Sequence, residues 1–291
     1  MEKDGQENQF RDLTETMDNH KKQSFCRAPK TGCWLTTQPS TFNGTTLTRE
    51  EFVDGLHLRY GFTPPDMPEH CDGCYAPFTI EHALSCRKGA AILNRHNHLT
   101  HEWESLCKSA FSPGSVTTEP FIYSLKDRTS PPTSSATRVE ARGDVAVFNF
   151  WQRGTTAIFD VHVTDTNSPS YKAHNPLTIL ARQEKAKKDK YVQPCIERRR
   201  QFTPLVFSVD GLVATEAEAA CKHLAAKLAE KWKEQYSVTC GYVRSKIGLA
   251  LIQASSLCIR GIRECRHQSE PLYPIDDGNA MRQHELGLDD L

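Results

Sequence analysis

The chain has no run of about 18 consecutive apolar residues of the kind that spans a bilayer as a helix. Its first stretch, residues 1–22, is polar and charged, without the apolar centre of a secretory signal. No net charge stands out either, because Lys plus Arg equals Asp plus Glu at 36 each. A bulk positive field that would by itself argue for nucleic-acid binding is therefore excluded, and any such surface has to be local. No internal repeat is visible. These absences lead to the expectation of a protein with no membrane partner, residing inside the cell in the nucleus or the cytoplasm.

The residues present are those of a chain that folds. With 38% hydrophobic, 25% charged and 9% aromatic residues in 291, it can bury a core. Eleven cysteines would suit a disulfide scaffold in a short secreted chain. Here three of them stand with a histidine at metal-ligand spacing, and Cys26, Cys33, Cys107, Cys195, Cys221, Cys240, Cys258 and Cys265 include odd singles inside apolar patterns. A reducing compartment fits that distribution better.

Composition changes along the chain predict five regions. Residues 1–30 are almost free of apolar groups and read as a disordered leader. Residues 31–111 read as a small helical module. Within it, Thr48 stands three residues before Glu51 as a capping box, and a helix runs to Tyr60, stopped by Gly61 and the prolines at 64, 65 and 68. A second helix is predicted over 89–111 from the spacing of Ile92, Leu93, Leu99, Trp103, Leu106 and Phe111.

Residues 112–138 are rich in Ser, Pro and Gly and read as a linker. Residues 139–265 read as a second domain: a β-hairpin from 144–150 and 155–163, a basic helix over 176–200, a strand over 202–209, and helices over 216–235 and 245–263. Residues 266–291 are a polar tail with an acidic end.

Cys71-x2-Cys74-x7-His82-x3-Cys86 is the most specific motif. Three thiolates and one imidazole are the set that a closed, tetrahedral structural zinc site uses. The turn through Asp72-Gly73 can aim two thiolates at one ion, and His82 and Cys86 stand one helical turn apart. His70, His96 and His98 are weaker candidates for the same role.

A second chemical signal is the pair Asp144 and Asp160, at the start of one hairpin strand and near the end of the other. Two carboxylates at one sheet edge can hold Mg2+, which neutralises a scissile phosphate and activates water. On the following helix Glu184, Lys187, Lys188 and Tyr191 share a face, with Lys190 beside it, so that helix can deliver a cation or a third acid. An Asp at a strand end is ordinarily a cap, however, and a lysine-rich face is ordinarily solvated.

Taken together, Gly44-Thr45-x-Leu47-Thr48-x-x-Glu51-Phe52, Arg59-Tyr60-Gly61, the Cys/His motif and Arg95-His96-Asn97 resemble the region downstream of the polymerase in non-LTR retrotransposon reverse transcriptases. There a zinc module precedes a restriction-like endonuclease. The second half, through Arg142-Gly143-Asp144-Val145, 158–163, Glu184-Lys185-x-Lys187-x-x-Lys190-Tyr191 and Phe202-x-Pro204-Leu205, is similar to that PD-(D/E)xK nuclease. The resemblance covers roughly residues 32–262 and no polymerase motif is present, so a fragment or a domesticated derivative of such an element is expected.

The resemblance implies an α/β fold with an αβββαβ core, structural zinc, and catalytic Mg2+ on Asp144 and Asp160. It also implies Lys187 or Lys190 as the lysine that has moved to the helix, Glu184 as a further acid, and DNA, with element RNA, as partner. Arg142, Arg153, Lys185, Lys188, Arg198, Arg199 and Arg200 are the expected backbone contacts. Two positions depart from the pattern: Gly143 where proline usually precedes the first Asp, and His162 where the acid-x-lysine motif has lysine. The second departure favours the alternative of nucleic-acid binding without cleavage.

Overall fold

The computed structural model describes residues 11–123, 141–171 and 174–263. Residues 1–10 of the expected leader, 124–138 of the expected linker, Cys265 and the expected tail 266–291 lie outside that description. Helices α1 (Asn19–Arg27), α2 (Arg49–Tyr60), α3 (Ile80–Ser85) and α4 (Ala91–Ala110) come first. Strands β1 (Val116–Thr118), β2 (Phe121–Tyr123), β3 (Ala141–Arg142), β4 (Val145–Phe148) and β5 (Thr156–Thr164) follow. Helix α5 (Pro176–Glu197) then leads to strand β6 (Arg200–Ser208), and α6 (Thr215–Trp232) and α7 (Tyr236–Arg260) are the last of the described elements.

The class is mixed α/β, with a four-stranded mixed sheet in the order β1-β4-β5-β6 and a separate ladder of β2 with β3. β4 and β5 form the antiparallel hairpin, in register Val145↔Phe159 to Phe148↔Thr156. β6 runs parallel to β5, from Thr156↔Arg200 to Thr164↔Ser208. A parallel neighbour cannot be reached by a tight turn, and α5 is the crossover that makes it possible. Pro204 has no N–H to give to a ladder, and it stands on an edge strand, where that is tolerated.

Alternation along β4 and β5 sorts the side chains to two faces. Val145, Val147, Phe159 and Val161 pack with Leu99, Trp103 and Leu106 of α4, Leu224 and Leu228 of α6, and Val243 and Ile247 of α7. Ala146 and Ile158 face the other way, onto Ile122, Tyr191 and Cys195. Asp160 and His162 share the parity of Ile158 and point toward α5.

Several boundaries differ from the expectation, two of them instructively. Within the expected linker, 116–118 is the edge strand β1, because Val116 enters the main core while Thr117 and Thr118 stay exposed. A three-residue strand among Ser, Pro and Gly leaves almost no periodic signal. Within the expected disordered leader, α1 is a capped helix: Asp18 accepts from the Lys21 amide, and Arg27 Nε lies 2.7 Å from Asp210 Oδ2. A buried ion pair at the end of a polar segment anchors what composition alone leaves loose.

α2 has the capping box of Thr48 and Glu51 and a left-handed Gly61 at its end. It is clipped to α7 by Asp54, which is fully buried and accepts from Arg260 Nη2 (2.6 Å), Arg260 Nε (3.0 Å) and Ser256 Oγ (2.7 Å). Removing Asp54 leaves the buried Ser256 hydroxyl without its acceptor, while Arg260, 29% exposed, keeps the Pro65 and Asp66 carbonyls. Asp54→Ala is therefore expected to lower stability by about 1–3 kcal/mol, measured by urea unfolding as a lower midpoint at unchanged slope.

Candidate functional site

The Cys/His motif folds into a compact cluster. The Cys71 amide donates to Ala76 O and the Tyr75 amide to Cys71 O, closing a tight loop around Asp72-Gly73. Thr79 caps α3 by accepting from the His82 amide, and Cys86 follows as the C-cap, its amide on His82 O. The four ligand atoms lie within 4.8 Å of one another. Cys71 Sγ is 3.8 Å from Cys86 Sγ, Cys74 Sγ is 4.0 Å from Cys86 Sγ, and Cys74 Sγ is 3.3 Å from His82 Nε2.

A tetrahedral zinc with bonds of about 2.3 Å to sulfur sets its sulfurs about 3.8 Å apart. The donor set and spacing fit a metal ion such as zinc. Burial works against the Cys71 thiolate, but hydrogen bonds from His82 and from the Gly73 and Cys74 backbone outweigh it and hold the thiol down to about 6.

The cluster is fastened to the end of α7. Asp72 Oδ2 accepts from the Arg263 amide at 2.6 Å. The Arg263 side chain is buried beneath the loop, with its guanidinium over the Phe78 ring at 4.9 Å and Nη2 donating to Ala83 O and Cys258 O. Gly73 permits this approach, since a Cβ there would stand 2.8 Å from Arg263 Cβ.

The carboxylate pair forms a second cluster. Asp144 donates its amide to Phe159 O at 2.9 Å, and its Oδ2 accepts from the Val161 amide at 2.5 Å. Its Oδ1 lies 3.0 Å from His96 Nε2, on α4. Asp160 Oδ2 lies 2.8 Å from Lys187 Nζ, on α5. Burial raises the Asp160 pKa and Asp144 adds to it, against the pull of Lys187. Burial would lower the Lys187 pKa, but Asp160 and then Asp144 outweigh it and raise it. Burial would likewise lower His96, and the Asp144 carboxylate raises it.

Both departures from the family pattern have a structural setting. A Cβ on Gly143 would collide with Ile158 Cγ2, and the Gly143 amide, which proline would lack, donates to Pro120 O at 2.9 Å. His162 is pushed down to about 3, by burial first and then by Lys187, His96 and Arg95. It is a neutral imidazole at neutral pH and supplies no fixed positive charge.

The remaining candidates are distributed as follows. Lys190 is exposed and lies 5.0 Å from the Tyr191 ring centroid. Glu184, the expected further acid, makes a backbone contact on α6. Its Oε1 accepts from the Glu216 amide at 2.7 Å, at the start of α6, where the N-cap residue Ala214 has no oxygen to offer.

Arg142 stacks over Phe121 at 3.9 Å and lies 3.8 Å from Glu119, and Arg200 donates to Phe121 O at 2.6 Å. Lys185 pairs with Asp189, Lys188 with Glu216, and Arg198 donates to Pro194 O. Arg153 and Arg199 are exposed. The basic run is therefore spread over several surfaces, and its exposed ion pairs are weak enough to exchange for phosphate.

His96, a weaker candidate for the zinc set, lies against Asp144 instead. The usable signal was periodicity, because His96 precedes the buried Leu99 and Trp103 by three and seven residues and so lies near the inward stripe of α4.

No family model matches the chain, and no curated protein matches it. The fold and the cluster define a mixed α/β protein with a Cys3His group that can hold a metal such as zinc. Among the described residues no helix is long and apolar enough to cross a membrane.

Two outcomes are expected here. Purified protein carries about one zinc per chain by elemental analysis, and Cys74→Ser loses most of it, since the site has four ligands and no spare. Glu184→Ala lowers stability by about 1 kcal/mol, the loss of a helix cap, in thermal or urea melts.

Proposed function

We propose that the chain is a Mg2+-dependent DNA endonuclease, related to the target-nicking region of a non-LTR retrotransposon. The observation that carries this reading is that Lys187, on the crossover helix, lies 2.8 Å from Asp160 Oδ2 on β5, while Asp144, just before β4, accepts from the amide of Val161, the next residue on β5. The order α4, β1, β4, β5, α5, β6 supports an αβββαβ core of the PD-(D/E)xK kind. The Cys71, Cys74, His82 and Cys86 group then holds structural zinc.

Asp144 and Asp160 are the residues that would hold Mg2+, which when bound neutralises the scissile phosphate and activates water. Two acids whose charges oppose one another on adjacent strands suit a divalent cation. Lys187 sits where a cation can leave Asp160 for a phosphate oxygen as charge develops. His162 is neutral and does not compete for that role. Arg142, Arg153, Lys185, Lys188, Arg198, Arg199 and Arg200 would contact the phosphate backbone of DNA or of element RNA, which positions a duplex without reading its sequence.

A second reading, binding without cleavage, is favoured by His162 in place of the motif lysine. Incubation with supercoiled plasmid and Mg2+ or Mn2+ separates the two. Nuclease action predicts nicked product, abolished by EDTA and by Asp160→Ala, and reduced about 100- to 1000-fold by Lys187→Ala. Equal cutting by wild type and variants contradicts it. No cutting, with a gel shift that weakens steeply in salt, establishes the binding reading instead.

A further inference from the structure

From the geometry around Asp144, we infer that His96 is a positioning residue that fixes the Asp144 carboxylate for a divalent cation. The inference rests on the metal-site reading above and concerns a residue outside the acid and lysine motif. His96 Nε2 lies 3.0 Å from Asp144 Oδ1. An ionised carboxylate only accepts, so the imidazole N–H donates in this pair.

The opposite oxygen, Oδ2, accepts from the Val161 amide at 2.5 Å. A carboxylate held at both oxygens has lost rotation about its own axis, while each oxygen keeps a lone pair for a cation. Hydrogen bonds of this kind to a ligating carboxylate typically set metal affinity by about 10- to 100-fold.

The donor is itself well fixed. α4 is anchored on the core side by Leu99 and Trp103, both almost fully buried. Thr100 Oγ1 lies 3.5 Å from His96 Nε2, one turn along the same helix, and makes a weak contact at the same nitrogen. Arg95 beside it is buried, donating to Leu84 O at 3.1 Å and Val163 O at 3.5 Å. One face of α4 is thus tied both to the Cys/His module, through Leu84, and to β5, through Val163. His96 reaches Asp144 from α4 while Lys187 reaches Asp160 from α5. The two acids are thus met by two different helices.

The test reads metal binding directly, without DNA. Zinc-loaded protein is titrated with Mn2+ by electron paramagnetic resonance, for wild type, His96→Ala, His96→Gln and Asp160→Asn, with cleavage against Mn2+ concentration in parallel. Wild type is expected to bind one Mn2+ at a site lost in Asp160→Asn. His96→Ala is expected to weaken binding about 10- to 100-fold, raising the Mn2+ needed for half-maximal cleavage while the rate at saturating Mn2+ changes little. His96→Gln, which keeps an N–H donor, recovers part of the affinity.

Equal Mn2+ affinity in wild type and His96→Ala overturns the inference and leaves the metal site standing. Tighter binding in His96→Ala also overturns it, making His96 a competitor. Wild type that binds no Mn2+ overturns the metal site and the inference together.

Discussion

Two carboxylates on neighbouring strands of a packed sheet repel each other and lose their water together, so the surroundings must bring positive charge or hydrogen-bond donors to both. In this protein Lys187 arrives at Asp160 from one helix, and His96 and the Val161 amide arrive at Asp144 from another helix and from the strand itself. The crossover α5 has to pass over β5 with Lys187 facing inward, and it does so with Ile179, Leu180, Tyr191 and Cys195 buried along the same helix. α4 has to lie close enough to reach the end of β4, and Trp103 and Leu106 seat it on the sheet. The packing of both helices and the electrostatics of the acids are thus one problem with one solution.

The Cys/His cluster is joined to the same solution through α7. Asp54 ties α2 to Arg260, and Asp72 with the loop around Gly73 closes over Arg263 three residues later. α7 packs against the sheet core through Val243 and Ile247 and carries these two arginines at its far end. A metal held by Cys71, Cys74, His82 and Cys86 would therefore stiffen the loop that buries Arg263, and through α7 would act on the core behind the acids. α4 contributes to both sides: Ala91 lies in the cluster around the Cys/His loop, and Leu99, Trp103 and Leu106 lie in the sheet core.

Much of this was legible in the chain because it is local. The Cys/His spacing states its own geometry, the Thr48 and Glu51 box forms as written, and the alternation on either side of Arg153-Gly154 forms the hairpin. What escaped depends on partners far away in sequence. Glu184 looks like an available acid until α6 is seen to start at Ala214 without a cap of its own. α7 begins at Tyr236, well before the expected 245, because its first turn is exposed and carries no apolar period. β1 and α1 are short or polar, held by one buried valine and one buried arginine respectively. The choice between Lys187 and Lys190 needed the register of a helix against a strand, which side-chain spacing alone does not contain.

Under the proposed function, one chain would hold two metals of different kinds, zinc on thiolates and a divalent cation on oxygens. Diffraction from crystals grown with Mn2+, recorded on both sides of the zinc and manganese absorption edges, tests it most directly. A zinc peak is expected among Cys71, Cys74, His82 and Cys86, with a separate manganese peak between Asp144 and Asp160. A zinc peak with no manganese density at the acids, Lys187 still on Asp160 and His96 still on Asp144, would contradict it.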